Sequence, residues 1–140
     1  MRGLIGEIVD KGKSDRDIVV DMEAGLEHLS RGTGRHLSKF IATIEPYYRS
    51  MEVASRVTAL ARELGIEDVV TVSTKVRDDA DRQAIADYCA AHGMVLAAEI
   101  PYDSGLIEAE RNGKTPIDFN PSSPAVRAIE DLADSLIRSE

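Results

Sequence analysis

A single cysteine, Cys89, means that the chain cannot close an internal disulfide. A reducing, cytoplasmic setting is the expectation that follows. Long apolar runs are also missing: nothing approaches the roughly 18 residues of a membrane helix. The opening "MRGLIGEIVDKGK" has too short an apolar stretch for a secretory signal and no small-residue cleavage site. Positive charge is scarce. Seventeen Lys and Arg stand against 25 Asp and Glu, a net charge of −8. That balance speaks against nucleic-acid binding through overall positive charge. What is present suits one domain with a real core: 140 residues, 43% apolar and 30% charged. We expect a single domain over residues 1–140.

The phosphate-binding loop G-x-x-x-x-G-K-[ST] is absent, although "GEIVDKGKS" ends in its last three letters. Gly6 and Gly12 enclose five residues, one more than the pattern has. The context fails too, because a phosphate loop leaves a strand and enters a helix. Here Leu4, Ile5, Ile8 and Val9 suggest a short first helix, ending near Lys11 with Gly12 as its cap, and a strand follows Ser14.

Four runs read as strands: "DIVVDM" (17–22), "KFIATIEP" (39–46), "DVVTVSTK" (68–75) and "MVLAAEIP" (94–101). Three are apolar almost throughout, which predicts burial on both faces, as in a parallel sheet under helices. Between them, Val53, Ala54, Val57, Leu60, Ala61 and Leu64 recur at helical spacing from Ser50, with Gly65 as a C-terminal cap. Asp78 or Asp79 caps a helix running to His92, and Gly93 ends it. Ser123 and Pro124 start a last helix. Its expected buried stripe is Val126, Ile129, Leu132, Ala133, Leu136 and Ile137. The stretch "GKTPIDFNPSSP" (113–124) is the only long irregular one. Alternating strands and helices predict an α/β fold: an open, mainly parallel sheet of about four strands with helices on both faces.

Four segments then occur in order: "DMEAGLEHLSRGT", "IEPYYRSMEVASRVTALARELGI", "STKVRDDAD" and "IPYDSGLIEAERNGKTPID". Together they resemble the C-terminal portion of the nickel-insertion ATPases of carbon monoxide dehydrogenase maturation, a branch of the dimeric MinD/ParA-type P-loop ATPases. The resemblance covers nearly the whole chain. It implies an incomplete P-loop domain, since in that family a P-loop strand and a Cys-x-Cys metal segment precede the matching region. The family often has valine where Met1 stands. A valine codon read as a start would give this boundary, and the upstream reading frame tests that.

The resemblance also carries roles onto single residues. Asp21 matches the acidic residue that reaches magnesium through water, and Gly25 the switch glycine whose amide faces the terminal phosphate. Glu23 lies between them. Asp21 as a simple cap of the loop after a strand stands beside that reading. "STKVRD" matches the base-recognition stretch, with Thr74 where an Asn is usual, followed by Lys75. A hydroxyl cannot offer the paired donor and acceptor of an amide. Pro101, Tyr102 and Asp103 match the loop that edges the base. The alternative is that Asp103 or Ser104 caps a helix from Gly105 to Asn112.

Other residues read as structural. His28 and His36 are too far apart for two ligands on one helical face. His92 sits in a last helical turn, where a cation is favoured, and Cys89 on that helix's apolar side. Tyr47 and Tyr48 suit surface packing or a dimer contact. The acidic clusters (Asp78, Asp79, Asp81; Glu130, Asp131, Asp134) read as solvated helix faces.

The intact family implies ATP and magnesium as cofactors and carbon monoxide dehydrogenase as partner. Without a P-loop, tight nucleotide binding and activity by this chain alone are not expected. In the family, the missing strand lies between those ending at Asp21 and near Pro46. Its loss would leave unpaired edges, which are templates for association. We therefore expect either direct pairing of the flanking strands or a homodimer through the exposed edges. A non-catalytic interaction module is the alternative function. An unrelated receiver-like or flavodoxin-like domain ranks behind both.

Overall fold

The computed structural model describes residues 18–21 and 37–137. Within them three strands and five helices follow in order. These are β1 (Lys39–Ile44), α1 (Tyr48–Glu63), β2 (Asp68–Val76), α2 (Asp79–Ala91), β3 (Leu96–Pro101), α3 (Ser104–Arg111), α4 (Pro116–Phe119) and α5 (Pro124–Ile137). The strands form one parallel sheet in the order β1-β2-β3. The α/β class and the parallel sheet are as the sequence predicts.

The helix boundaries have local causes. Asp78 accepts a hydrogen bond from the Asp81 amide at 2.9 Å, and Asp81 reaches back to the Arg77 amide at 3.1 Å. One first-turn donor and the amide just before the cap are thereby satisfied. Gly65 and Gly93 follow α1 and α2 with φ of +88° and +62°, the left-handed conformation that ends helices. α1 starts two residues earlier than its apolar pattern suggests. Ser50 lies inside the first turn, and its hydroxyl accepts from the Glu45 amide at 2.9 Å. The stretch 113–124 is not wholly irregular: Thr115 caps the single turn α4.

Consecutive strands in consecutive positions put both crossover helices on one face. One cluster confirms it, uniting Ile44 of β1, Met51 and Ala54 of α1, Val76 of β2, Ile85 and Cys89 of α2, and Met94. A second joins Phe40, Ala42, Ala61, Ile66 and Val69 at the other end of α1. Cys89 is buried, and burial pushes its thiol pKa up. His92 closes α2 by donating from Nδ1 to Tyr88 O, 2.8 Å away, and stacks on the Tyr88 ring.

Burial on both faces does not hold along the whole sheet. In β1 the residues alternate: Phe40, Ala42 and Ile44 are buried, Ile41 and Thr43 exposed. β3 is exposed at Leu96 and Ala97 and half-buried beyond. The reason is the crossover geometry, which sends α1 and α2 to the same side, while α5 packs chiefly on β3. The predicted stripe of α5 is likewise only partly covered. Val126 is buried and Leu132 and Leu136 are half-buried, but Ile129, Ala133 and Ile137 are exposed. Apolar periodicity marks a face without saying how much of it a neighbour reaches.

The fourth predicted strand, 17–22, is not seen among the described residues. Ile18, Val19, Val20 and Asp21 belong to no strand and are exposed. Among the described residues, 18–21 make no ladder with β1. The predicted first helix, Gly25, His28 and His36 lie outside the described residues. No described helix is long and apolar enough to cross a membrane.

Candidate functional site at the carboxyl edge of the sheet

Three parallel strands bring their carboxyl ends to one edge, the place where open α/β sheets bind ligands. Here the edge is made by Glu45 and Pro46 after β1, Thr74 to Arg77 at the end of β2, and Pro101 to Asp103 at the end of β3. The β2–β3 register puts Val76 beside Pro101, and the Tyr102 amide donates to Val76 O at 2.8 Å. That pairing draws the two predicted stretches, Thr74–Lys75 and Pro101–Asp103, together.

The backbone is irregular at this point. Register slips between Ser73 and Val76, and Lys75 has φ of +58°. It is the one positive-φ residue other than glycine among the described residues. A left-handed non-glycine residue stores about 1–3 kcal/mol of strain, and such residues gather at functional sites. The bulge leaves Lys75 exposed and half-buries Thr74. Lys75 Nζ donates to Glu45 Oε1 at 2.9 Å, and this hydrogen bond raises the lysine pKa above its ordinary value. Replacing Lys75 tests the strain. Lys75→Gly loses a surface ion pair worth at most about 1 kcal/mol but relieves φ, so its unfolding midpoint in denaturant should stay near the wild-type value. Lys75→Val, β-branched at a left-handed position, should lose about 2 kcal/mol.

On the β3 side, Tyr102 is 46% exposed, and the Arg77 guanidinium lies 5.7 Å from its ring centroid. That is within cation–π range and restrains the ring at the rim. Asp103 is the N-cap of α3, accepting from the Gly105 amide at 2.8 Å. Its other oxygen accepts from the Ala125 amide of α5 at 3.3 Å, and the Ser123 side chain bonds it as well. Burial is the largest single influence on this carboxyl and works against its charge. The hydrogen bonds from Gly105, Ser123 and Ala125 together outweigh it and hold the pKa below the usual aspartate value. The capping alternative for Asp103 is thus correct, and the carboxylate also ties two helix starts together.

Thr74, Lys75, Pro101, Tyr102 and Asp103 are therefore neighbours on one edge. Asp21 is exposed and in no regular element, and Glu23 and Gly25 lie outside the described residues. Glu45 and Arg77 belong to the edge but were not singled out from the sequence. Their signal was available: each is an ionisable residue at the end of a predicted β-branched strand. Chemically, the edge offers a flat aromatic ring, a half-buried hydroxyl and a bulged backbone. That set suits a planar, polar-edged group, with Lys75 and Arg77 as cations at its border.

No protein-family model matches the chain. It is 34% identical over 87% of its length to the carbon monoxide dehydrogenase accessory protein CooC of Rhodospirillum rubrum, covering 45% of that protein. An uncharacterized ATP-binding protein of Methanocaldococcus jannaschii is also 34% identical, over 90% of this chain and 48% of its own length. Among solved structures, the MinD cell division protein of Aquifex aeolicus superposes with a TM-score of 0.78 at 22% identity, over 97% of this chain and 58% of that one. A ParA family ATPase of Chlorobium tepidum gives 0.58 at 19% identity, over 76% and 44%. The chain shares the fold of the MinD and ParA structures and resembles CooC in sequence over most of its length. It spans about half the length of the curated relatives it matches. In an open parallel α/β sheet of this kind the carboxyl edge described above is the place to look for chemistry.

Proposed function

We propose that this chain carries the base-recognising edge of an ATP-hydrolysing maturation protein serving carbon monoxide dehydrogenase. The observation that carries the reading is the bulged Thr74–Lys75 turn held beside the Tyr102 loop at the carboxyl edge. The similarity to CooC over most of the chain supplies the client. In this reading the Tyr102 ring, restrained by Arg77, flanks the base, and Thr74 meets its polar edge. Glu45 holds Lys75 aside, and Asp103 fixes the loop from behind. One hydroxyl donor cannot read a base bidentately, so discrimination between bases is weak.

The phosphates and magnesium call for donors that this edge does not supply. The P-loop pattern does not occur in these 140 residues. Asp21, reaching magnesium through water, and Gly25, facing the terminal phosphate, would complete the site only alongside such a loop. We accordingly propose that nucleotide hydrolysis, nickel insertion and nucleotide-dependent dimerisation belong to an assembly that includes a P-loop. These 140 residues contribute scaffold and base contacts in the cytoplasm. Amide shift mapping with millimolar ATP tests the placement. Shifts should concentrate at Thr74, Lys75, Arg77 and Tyr102 and spare the end of α2 at His92. Shifts spread evenly, or centred on α2, would contradict it.

A further inference from the structure

α2 packs chiefly on β2 and α1, while β3 packs on β2 and α5. A single residue pair nevertheless ties α2 to β3. Arg82, in the first turn of α2, donates from Nε to both Glu99 oxygens, at 3.1 and 2.9 Å, and from Nη2 to Oε1 at 2.8 Å. Among the described residues this is the one hydrogen-bonded link between the two elements. Nη1 is held by Asp79 of the same turn. The Arg82 side chain is 52% exposed and that of Glu99 27%. A pair so open to water adds little to stability. What a planar, forked guanidinium does fix is position, because both carboxylate oxygens must be met at once.

The two ends of this link carry the two halves of the rim. Glu99 belongs to β3, just before Pro101 and Tyr102. Arg82 follows Asp81, whose carboxylate accepts from the Arg77 amide at 3.1 Å. Arg77 in turn lies over the Tyr102 ring. The contacts thus close a circuit from Arg82 through Glu99, Tyr102, Arg77 and Asp81 back to Arg82. The bond from the Tyr102 amide to Val76 O fixes the backbone at this point but neither side chain. The guanidinium of Arg77 is 5.7 Å from the ring centroid, near the limit of about 6 Å for a cation–π contact, so a slip of α2 along β3 by about 1 Å would break it. We propose that Arg82, clamped to Glu99, is a positioning residue for the rim: it keeps Arg77 over Tyr102 and so sets the ring that flanks the base. The acidic helix start, which reads as a solvated face in sequence, is part of that clamp, since Asp79 holds the guanidinium and Asp81 the Arg77 amide. Lysine cannot replace Arg82, because an ammonium is a point charge without a fork. What the rim is for rests on the functional reading above; the clamp itself is a matter of Arg82, Glu99 and the ring.

Magnetic resonance of the 140-residue chain without nucleotide tests it. The wild type should show cross-relaxation between the Arg77 side chain and the Tyr102 ring. Arg82→Gln and Glu99→Gln should each abolish it, and Arg82→Lys should not keep it. Arg56→Gln is the control: it breaks an exposed pair with Glu52 on α1 and should leave the ring contact intact. Melting of all four variants should stay near that of the wild type, since both pairs are exposed. In a millimolar ATP titration, Arg82→Gln and Glu99→Gln should each weaken the response of the Tyr102 amide at least about twofold, and the double variant no further, as for two members of one pair. A ring contact absent from the wild type, surviving Arg82→Gln, kept by Arg82→Lys or lost equally in Arg56→Gln would overturn the proposal. Because that contact is read without nucleotide, its failure is distinct from a wild-type rim that does not respond to ATP, which would contradict the functional reading instead.

Discussion

Ile85→Ala should lower the unfolding free energy by about 3 kcal/mol, within the roughly 2–5 kcal/mol found when a large core aliphatic is truncated. Ile85 is fully buried in α2 and sits in the cluster formed by Ile44, Met51, Ala54, Val76, Cys89 and Met94. Those residues come from every element that positions the carboxyl edge on the β1–β2 side. Removing three carbons there loses transfer free energy and leaves a cavity, since α1 and α2 are both pinned to the sheet and cannot collapse into it. Ile129→Ala is the control. Ile129 is 45% exposed in α5 despite its place in an apolar stripe, so its loss should cost less than about 1 kcal/mol. Urea unfolding of the two variants reads both values. Similar costs would mean that the face of α5 is covered as fully as the core.

Asp103→Ala should cost about 2 kcal/mol at neutral pH and progressively less in acid. Two contributions are lost: the N-cap of α3, worth about 1 kcal/mol, and the charge-assisted bond to the Ala125 amide, of similar or larger size. Both act through one carboxylate, so they do not add in full. The pH dependence follows from the direction of its pKa, which is below the usual aspartate value. A group whose pKa is depressed by folding stabilises above its unfolded value, near 4 for aspartate. That stabilisation is lost as pH falls through the lower folded value. The gap between wild type and Asp103→Ala in urea should therefore be constant above about pH 5 and close below about pH 4. Asp103→Asn keeps an oxygen for Gly105 but turns an amide group toward the Ala125 donor. It should fall between the two, with no acid dependence of its own. A pH-independent cost for Asp103→Ala would show that the carboxylate charge plays no part.

Much of this fold was legible because the signals are local. The caps at Asp78 and Asp103, the left-handed glycines at Gly65 and Gly93, and the Ser123–Pro124 start each act over a few residues. What was not legible depends on neighbours far away in sequence. Ile41 and Ile44 look alike in "KFIATI", yet one is exposed and the other buried, because α1 and α2 share a face. The polar letters of "DVVTVSTK" were equally opaque. Thr71 and Ser73 are buried in the central strand, Thr71 with no partner for its hydroxyl among the described residues, while Thr74 reaches the rim.

The candidate site shows the same division. Thr74, Lys75, Pro101, Tyr102 and Asp103 came from resemblance to a family, and the structure sets them side by side. Their mutual arrangement came from elsewhere. The left-handed Lys75, its bond to Glu45 and the Arg77–Tyr102 contact arise from a register slip between β2 and β3 that no residue in "STKVRD" announces. The second grip of Asp103, on Ala125, spans 22 residues and two helices. Sequence periodicity has no access to such a contact.

Calorimetric titration of these 140 residues with ATP and magnesium tests the functional reading most directly. An edge that contacts the base, with no P-loop pattern in the sequence, should show no saturable binding in the micromolar range. Saturable micromolar binding by the chain unaided would contradict it.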